Sequence, residues 1–98
     1  MNDSVIVDAV RSPIGIKNGS MIGIRPDDLT AQIIKGLLAR NKSIKQNQIE
    51  DLVLGCAFPE GPQGMLMAKG ITILAGLPET VGGSVINRFC GSSMDALH

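Results

Sequence analysis

The 98-residue sequence has no tryptophan, no tyrosine and only two phenylalanines. Without aromatics it offers no platform on which nucleobases could stack. Nine basic and nine acidic side chains balance to a formal net charge of +0. No basic stretch is long enough to track a phosphate backbone, so nucleic acid is not an expected partner. Cysteine is scarce: Cys56 and Cys90 form no C-x-x-C pair and stand beside a single histidine, His98. That set is too small for a zinc site or a secreted disulfide framework, and no metal is expected. Thiols used so sparingly suit a reducing compartment. No apolar run reaches the ~20 residues of a transmembrane helix. The opening "MNDSVIVDAV" has neither a basic region leading into an apolar one nor an Arg-rich presequence. The expectation is a cytoplasmic protein with no membrane insertion.

What is present reads as alternating strands and helices. Val5-Ile6-Val7, ending near Ala9-Val10, is a β-branched run that predicts a buried strand. "RSPIGIKNGSMIGIRP" is rich in Gly, Pro, Ser and Asn and reads as a long loop. A helix is expected from Pro26-Asp27-Asp28, where proline fits the first turn and aspartate complements the helix dipole. Leu29, Ile33, Ile34, Leu37 and Leu38 give it one apolar stripe, with Lys35, Arg40 and Lys42 toward its basic end. "DLVLGCAF", Asp51 to Phe58, predicts a second strand, and Met65 to about Ala75 a second helix closed by Gly76-Leu77-Pro78. A third strand is expected over Ser84 to Arg88 and a third helix from Ser92. The order β-α-β-α-β-α implies an α/β fold with a parallel sheet. Such sheets need both faces covered, and the last helix has barely two turns before His98. Residues 1–98 are therefore expected to be the N-terminal portion of a larger α/β protein.

Cys90 lies at the carboxyl end of the third strand, just before a helix, where chemistry gathers in open α/β sheets. Backbone N–H groups and the helix dipole at such a corner favour an anion. Gly91, Ser92 and Ser93 leave room for a carbonyl to approach, and their amides are candidate oxyanion donors. The layout parallels the strand–nucleophile–helix elbow of serine hydrolases. Free cysteine is also among the most buried residue types and is commonly an inert core side chain. Position alone leaves both readings open.

"VINRFCGSSMDALH" resembles the active-site segment of the thiolases, in which an Asn-Arg-x-Cys run precedes small residues. It is most similar to the degradative 3-ketoacyl-CoA thiolases, the acetyl-CoA acyltransferases of fatty-acid β-oxidation. "VIVDAVRSPIGIKNGS", "RPDDLTAQIIKGLLARN", "IEDLVLGCAF" and "AGLPETV" extend the likeness over nearly the whole chain. The resemblance implies a layered α-β-α fold of which this is the beginning. It implies Cys90 as the nucleophile that takes the acyl group, with its own backbone N–H in an oxyanion site. Coenzyme A and acyl-CoA are then substrates, with no bound cofactor. It also implies a homodimer or homotetramer, formed through the region of strand 84–88.

Two alternatives stay beside this reading. One is a biosynthetic acetyl-CoA C-acetyltransferase forming acetoacetyl-CoA, and the other a non-catalytic thiolase-like chain that binds acyl-CoA or serves as a scaffold. Ser93, where many biosynthetic members have glycine, favours the degradative type. Many members carry a Gly-Gln-Gly-x-Asn-x-Ala-Arg-like run after the second strand. Here "GPQGMLMAKG" keeps Gln63, Gly64 and Ala68 but places Lys69 where arginine is common, losing the planar fork. The family's catalytic histidine and second cysteine lie far downstream of these residues, so the segment alone is expected to be inactive. His98 is read as a surface or interface residue, Cys56 as a small buried hydrophobe, and Arg11 as a structural ion-pair or interface residue.

Overall fold

A computed structural model describes residues 2–98. Two parallel strands, β1 (Asp51–Gly55) and β2 (Gly82–Ile86), run in register from Asp51 opposite Gly82 to Gly55 opposite Ile86. Three helices, α1 (Pro26–Ala39), α2 (Met67–Leu74) and α3 (Ser92–Leu97), cover them. Because side chains alternate across a strand, the pair has two distinct faces. Leu52, Leu54 and Val85 turn to a core made by Ala31 of α1 with Met67, Ile71 and Ala75 at and beyond α2. The opposite face of β1 carries α3. The result is a helix–sheet–helix sandwich of the expected α/β class.

Local sequence explains each helix boundary. α1 starts on Pro26, whose missing N–H is not needed there, with Asp27 and Asp28 in its first turn. Its apolar stripe is wider than the core it meets. Ala31 is buried and Ile34 packs on the core, while Leu29, Ile33, Leu37 and Leu38 are half-buried. α2 begins only at Met67 because Met65 adopts a left-handed φ of 57° that no helix continues. It ends as predicted at Gly76, whose φ of 74° suits glycine. There the Gly76 N–H donates to the Ile73 carbonyl and the Leu77 N–H to the Thr72 carbonyl, both at 3.0 Å. This pair of bonds satisfies carbonyls the helix itself leaves open.

Three expectations need correction. Val5 to Val10 is not a strand: Val5, Ile6 and Val7 are exposed and the segment joins no ladder. It lies instead against the end of α1. Asp8 accepts Arg40 Nε and Nη2 at 2.8 and 2.7 Å and Asn41 Nδ2 at 2.7 Å, which ties it there. β-branched residues favour an extended chain, but only a free edge within reach makes it a strand. The second strand stops at Gly55 rather than Phe58. The third spans 82–86 rather than 84–88, because Gly82 and Gly83 belong to it. A Cβ on Gly83 would stand 2.5 Å from the Lys69 nitrogen, so this glycine marks the close approach of α2 to the strand and not a loop.

Lys69 has a structural task. Its Nζ donates to the carbonyls of Glu79 and Val81 at 2.9 and 2.6 Å, clamping the turn between α2 and β2. A compact ammonium can serve two converging carbonyls, whereas a flat guanidinium has a fixed fork.

Candidate active site

Parallel strands place both carboxyl ends at one edge of the sheet, and the two cysteines follow those ends. Cys56 comes directly after β1, and its N–H donates to the Ile86 carbonyl at 3.0 Å. It is buried, 8% exposed, as expected of a small core side chain. It borders a cleft of about 330 Å³ lined by Leu54, Phe58, Gln63 and Met67 among others. Cys90 sits in the 3-10 turn Phe89–Gly91 between β2 and α3, and it is exposed. The rings of Phe58 and Phe89 meet with centroids 6.2 Å apart, joining the loops that leave the two strands.

The Cys90 turn is tight. Phe89 has a left-handed φ of 47°, a conformation that for a non-glycine residue costs about 1–3 kcal/mol and persists only when its surroundings impose it. Asn87 Oδ1 accepts the Phe89 N–H at 2.9 Å. Ser92 Oγ accepts the Arg88 N–H at 2.9 Å and donates to the Phe89 carbonyl at 2.6 Å. The Gly91 N–H donates to the Arg88 carbonyl, and the Ser92 N–H to that of Phe89. Outside the turn, Arg88 and Asp95 form an exposed ion pair at 3.2 Å, of a kind worth about 0–1 kcal/mol.

These bonds correct one expectation. The amides of Gly91 and Ser92 are occupied within the turn and are not open oxyanion donors. Cys90's own N–H has no hydrogen-bond partner among the described residues. Ser92 is 4% exposed, so it is not a filler that leaves space around the sulfur. Its role was missed, although serine at a helix start is a known acceptor for backbone N–H groups. Asn87 two residues before a turn amide carries the corresponding signal.

Gly55 brings α3 to this corner. A Cβ there would lie 2.5 Å from the Ser93 nitrogen and 2.6 Å from the Ser92 carbonyl carbon, so the start of α3 rests directly on the end of β1. His98 is exposed at the end of α3. Arg11 donates to the Ser12 carbonyl and makes no ion pair among the described residues, unlike the ion-pair expectation. No group of three or more His, Cys, Asp or Glu side chains among the described residues could hold a metal ion.

The family described as "Thiolase, N-terminal domain" matches residues 4–98, nearly the whole chain. The chain belongs to the thiolase family. Three relatives named 3-ketoacyl-CoA thiolase show how similar this thiolase chain is to full members. That of Saccharophagus degradans is 50% identical over 97 residues, which is 98% of this chain and 25% of the relative. That of Marinomonas sp. is 47% identical over 98 residues, 99% of this chain and 25% of the relative. One from Acinetobacter baumannii is 48% identical over 97 residues, 98% of this chain and 25% of the relative. The thiolase chain thus spans about a quarter of the length of the curated relatives it matches.

Proposed function

We propose that these residues are the N-terminal part of an acyltransferase that cleaves a 3-ketoacyl-CoA with coenzyme A, and that Cys90 is its nucleophile. The observation that carries the reading is the Cys90 turn: an exposed thiol at a strand end, beside a backbone N–H with no hydrogen-bond partner among the described residues, on a turn fixed by hydrogen bonds. Relatives bearing the name 3-ketoacyl-CoA thiolase support the substrate class. The Cys90 sulfur, as thiolate, attacks the ketone carbon of the substrate and forms a C–S bond. The bond between that carbon and the adjacent methylene carbon breaks, its electron pair leaving with the acetyl-CoA portion. That portion takes up a proton from an acid outside these residues. The acyl group is then a thioester on Cys90. The thiol of a second coenzyme A attacks it, releasing acyl-CoA and the cysteine. Sulfur suits both halves, because it is nucleophilic near neutral pH and forms a thioester close in energy to that of coenzyme A. In this reading Cys90's own N–H stabilises the oxyanion that each attack creates.

The outer edge of β2 has no ladder partner among the described residues. A second copy of the protein is the proposed occupant, since an open edge with half-buried Val85 and Ile86 invites strand pairing. No helix among the described residues is long and apolar enough to cross a membrane, and the proposed site of action is the cytoplasm.

The test is thiolysis of a 3-ketoacyl-CoA by the parent protein and its Cys90→Ala and Cys56→Ala forms. Loss of turnover in Cys90→Ala with retention in Cys56→Ala is expected. Turnover that survives Cys90→Ala would refute the reading.

A further inference from the structure

The Ser92 hydroxyl is engaged on both sides of the Cys90 turn. It accepts the N–H of Arg88, before the turn, and donates to the carbonyl of Phe89, inside it. It is the one hydroxyl among the described hydrogen bonds that both donates and accepts, and it is nearly buried. Phe89, the residue it grips, holds the left-handed φ of 47° that turns the backbone immediately before Cys90. A non-glycine residue relaxes from that region unless its neighbours hold it. The direction of the Cys90 N–H and of its Cα–Cβ bond both follow from the Phe89 torsion angles. Releasing the turn therefore misdirects the sulfur and the amide together.

We propose that Ser92 is the positioning residue of this site, its hydroxyl bridging Arg88 and Phe89 so that the Cys90 sulfur and N–H face one point in the substrate. The proposal rests on Cys90 being the acylated nucleophile. Asn87 holds the Phe89 N–H from the other side, but its residue is exposed and water can take its place. Nothing comparable reaches the nearly buried Ser92 hydroxyl, so its loss leaves the Arg88 N–H without its acceptor and the Phe89 carbonyl held by the Ser92 N–H alone.

The experiment compares Ser92→Thr with Ser92→Val in the parent protein. The two differ in a hydroxyl at nearly equal volume. Ser92→Ala and Asp95→Asn complete the set, the latter breaking the exposed ion pair of the same corner. The readouts are kcat and KM for thiolysis and hydrogen exchange at the Arg88 amide. Expected for Ser92→Val and Ser92→Ala is a fall in kcat of about ten- to a hundredfold, with KM within about twofold of the original and faster exchange at Arg88. Ser92→Thr restores both readouts, and Asp95→Asn leaves both near the original. Equal kcat in the Thr and Val forms, or slow exchange at Arg88 in Ser92→Val, would overturn the proposal. A parent protein not acylated on Cys90 would instead show the failure of the functional reading, visible before any Ser92 variant is made.

Discussion

Gly55→Ala isolates how much of the site depends on the contact between β1 and α3. At Gly55 the added methyl would meet the Ser93 nitrogen at 2.5 Å, with the Ser92 carbonyl carbon and the Ser93 Cα each at 2.6 Å. All three are backbone atoms, so no side chain can rotate away. Either α3 lifts from the strand or β1 bends. Replacing glycine without a positive φ gains about 0.4–1 kcal/mol through the unfolded chain. Overpacking of a tight contact costs about 1–3 kcal/mol, toward the top of that range where backbone must move. The net expectation is a loss of about 1–2 kcal/mol. Gly36→Ala is the matched control: it lies in α1, a Cβ there meets nothing within 4 Å, and it should gain about 0.5–1 kcal/mol. The assay is the urea midpoint of the parent protein, with the rate of Cys90 acylation as a second readout. Gly55→Ala should lower both, because Ser92 and Ser93 carry the nucleophile turn. A Gly55→Ala form as stable and as readily acylated as the original would refute the close-packing account of this corner.

Two further outcomes follow from contacts away from the site. Hydrogen bonds from Asn41 and then Arg40 hold the Asp8 carboxyl down from 3.8 to about 2. A depressed carboxylate stabilises above its unfolded pKa and loses that contribution as pH falls through the folded value. The tie of residues 5–10 to α1 should therefore hold at neutral pH and be lost between about pH 4 and pH 2. Asp8→Asn should expose the segment to protease already at pH 7, and an unchanged cleavage rate would count against the tie. Lys69→Met removes two bonds to the turn before β2 and should destabilise by about 1–3 kcal/mol, read as a lower urea midpoint. A midpoint at or above the original would show that the ammonium contributes nothing there.

The elements most legible in the sequence were those whose signals are local. Proline and paired aspartates place the start of α1, and Gly76-Leu77-Pro78 marks the end of α2, because caps are decided within one turn of chain. Strand boundaries were less legible. Gly82 and Gly83 look like a loop until α2 is laid across them, and Val5 to Val10 looks like a strand until Asp8 is seen bonded to α1. Both depend on partners distant in sequence. At the site, the burial of Cys56 was legible from its apolar run, and the exposed Cys90 lies at the strand-to-helix corner its position indicates. The Ser92 bridge and the left-handed Phe89 were not legible, since nothing in "RFCGSS" says which of the small residues turns inward.

The central claim is that Cys90 carries the acyl group, and the direct measurement is to locate it. The parent protein is mixed with an acyl-CoA, quenched in acid, digested, and searched by mass for the acyl increment. The account predicts the increment on the peptide containing "FCGSSMDALH", absent after Cys90→Ala and unchanged after Cys56→Ala. An acyl group found on Cys56, or a full acylation yield in Cys90→Ala, would contradict it.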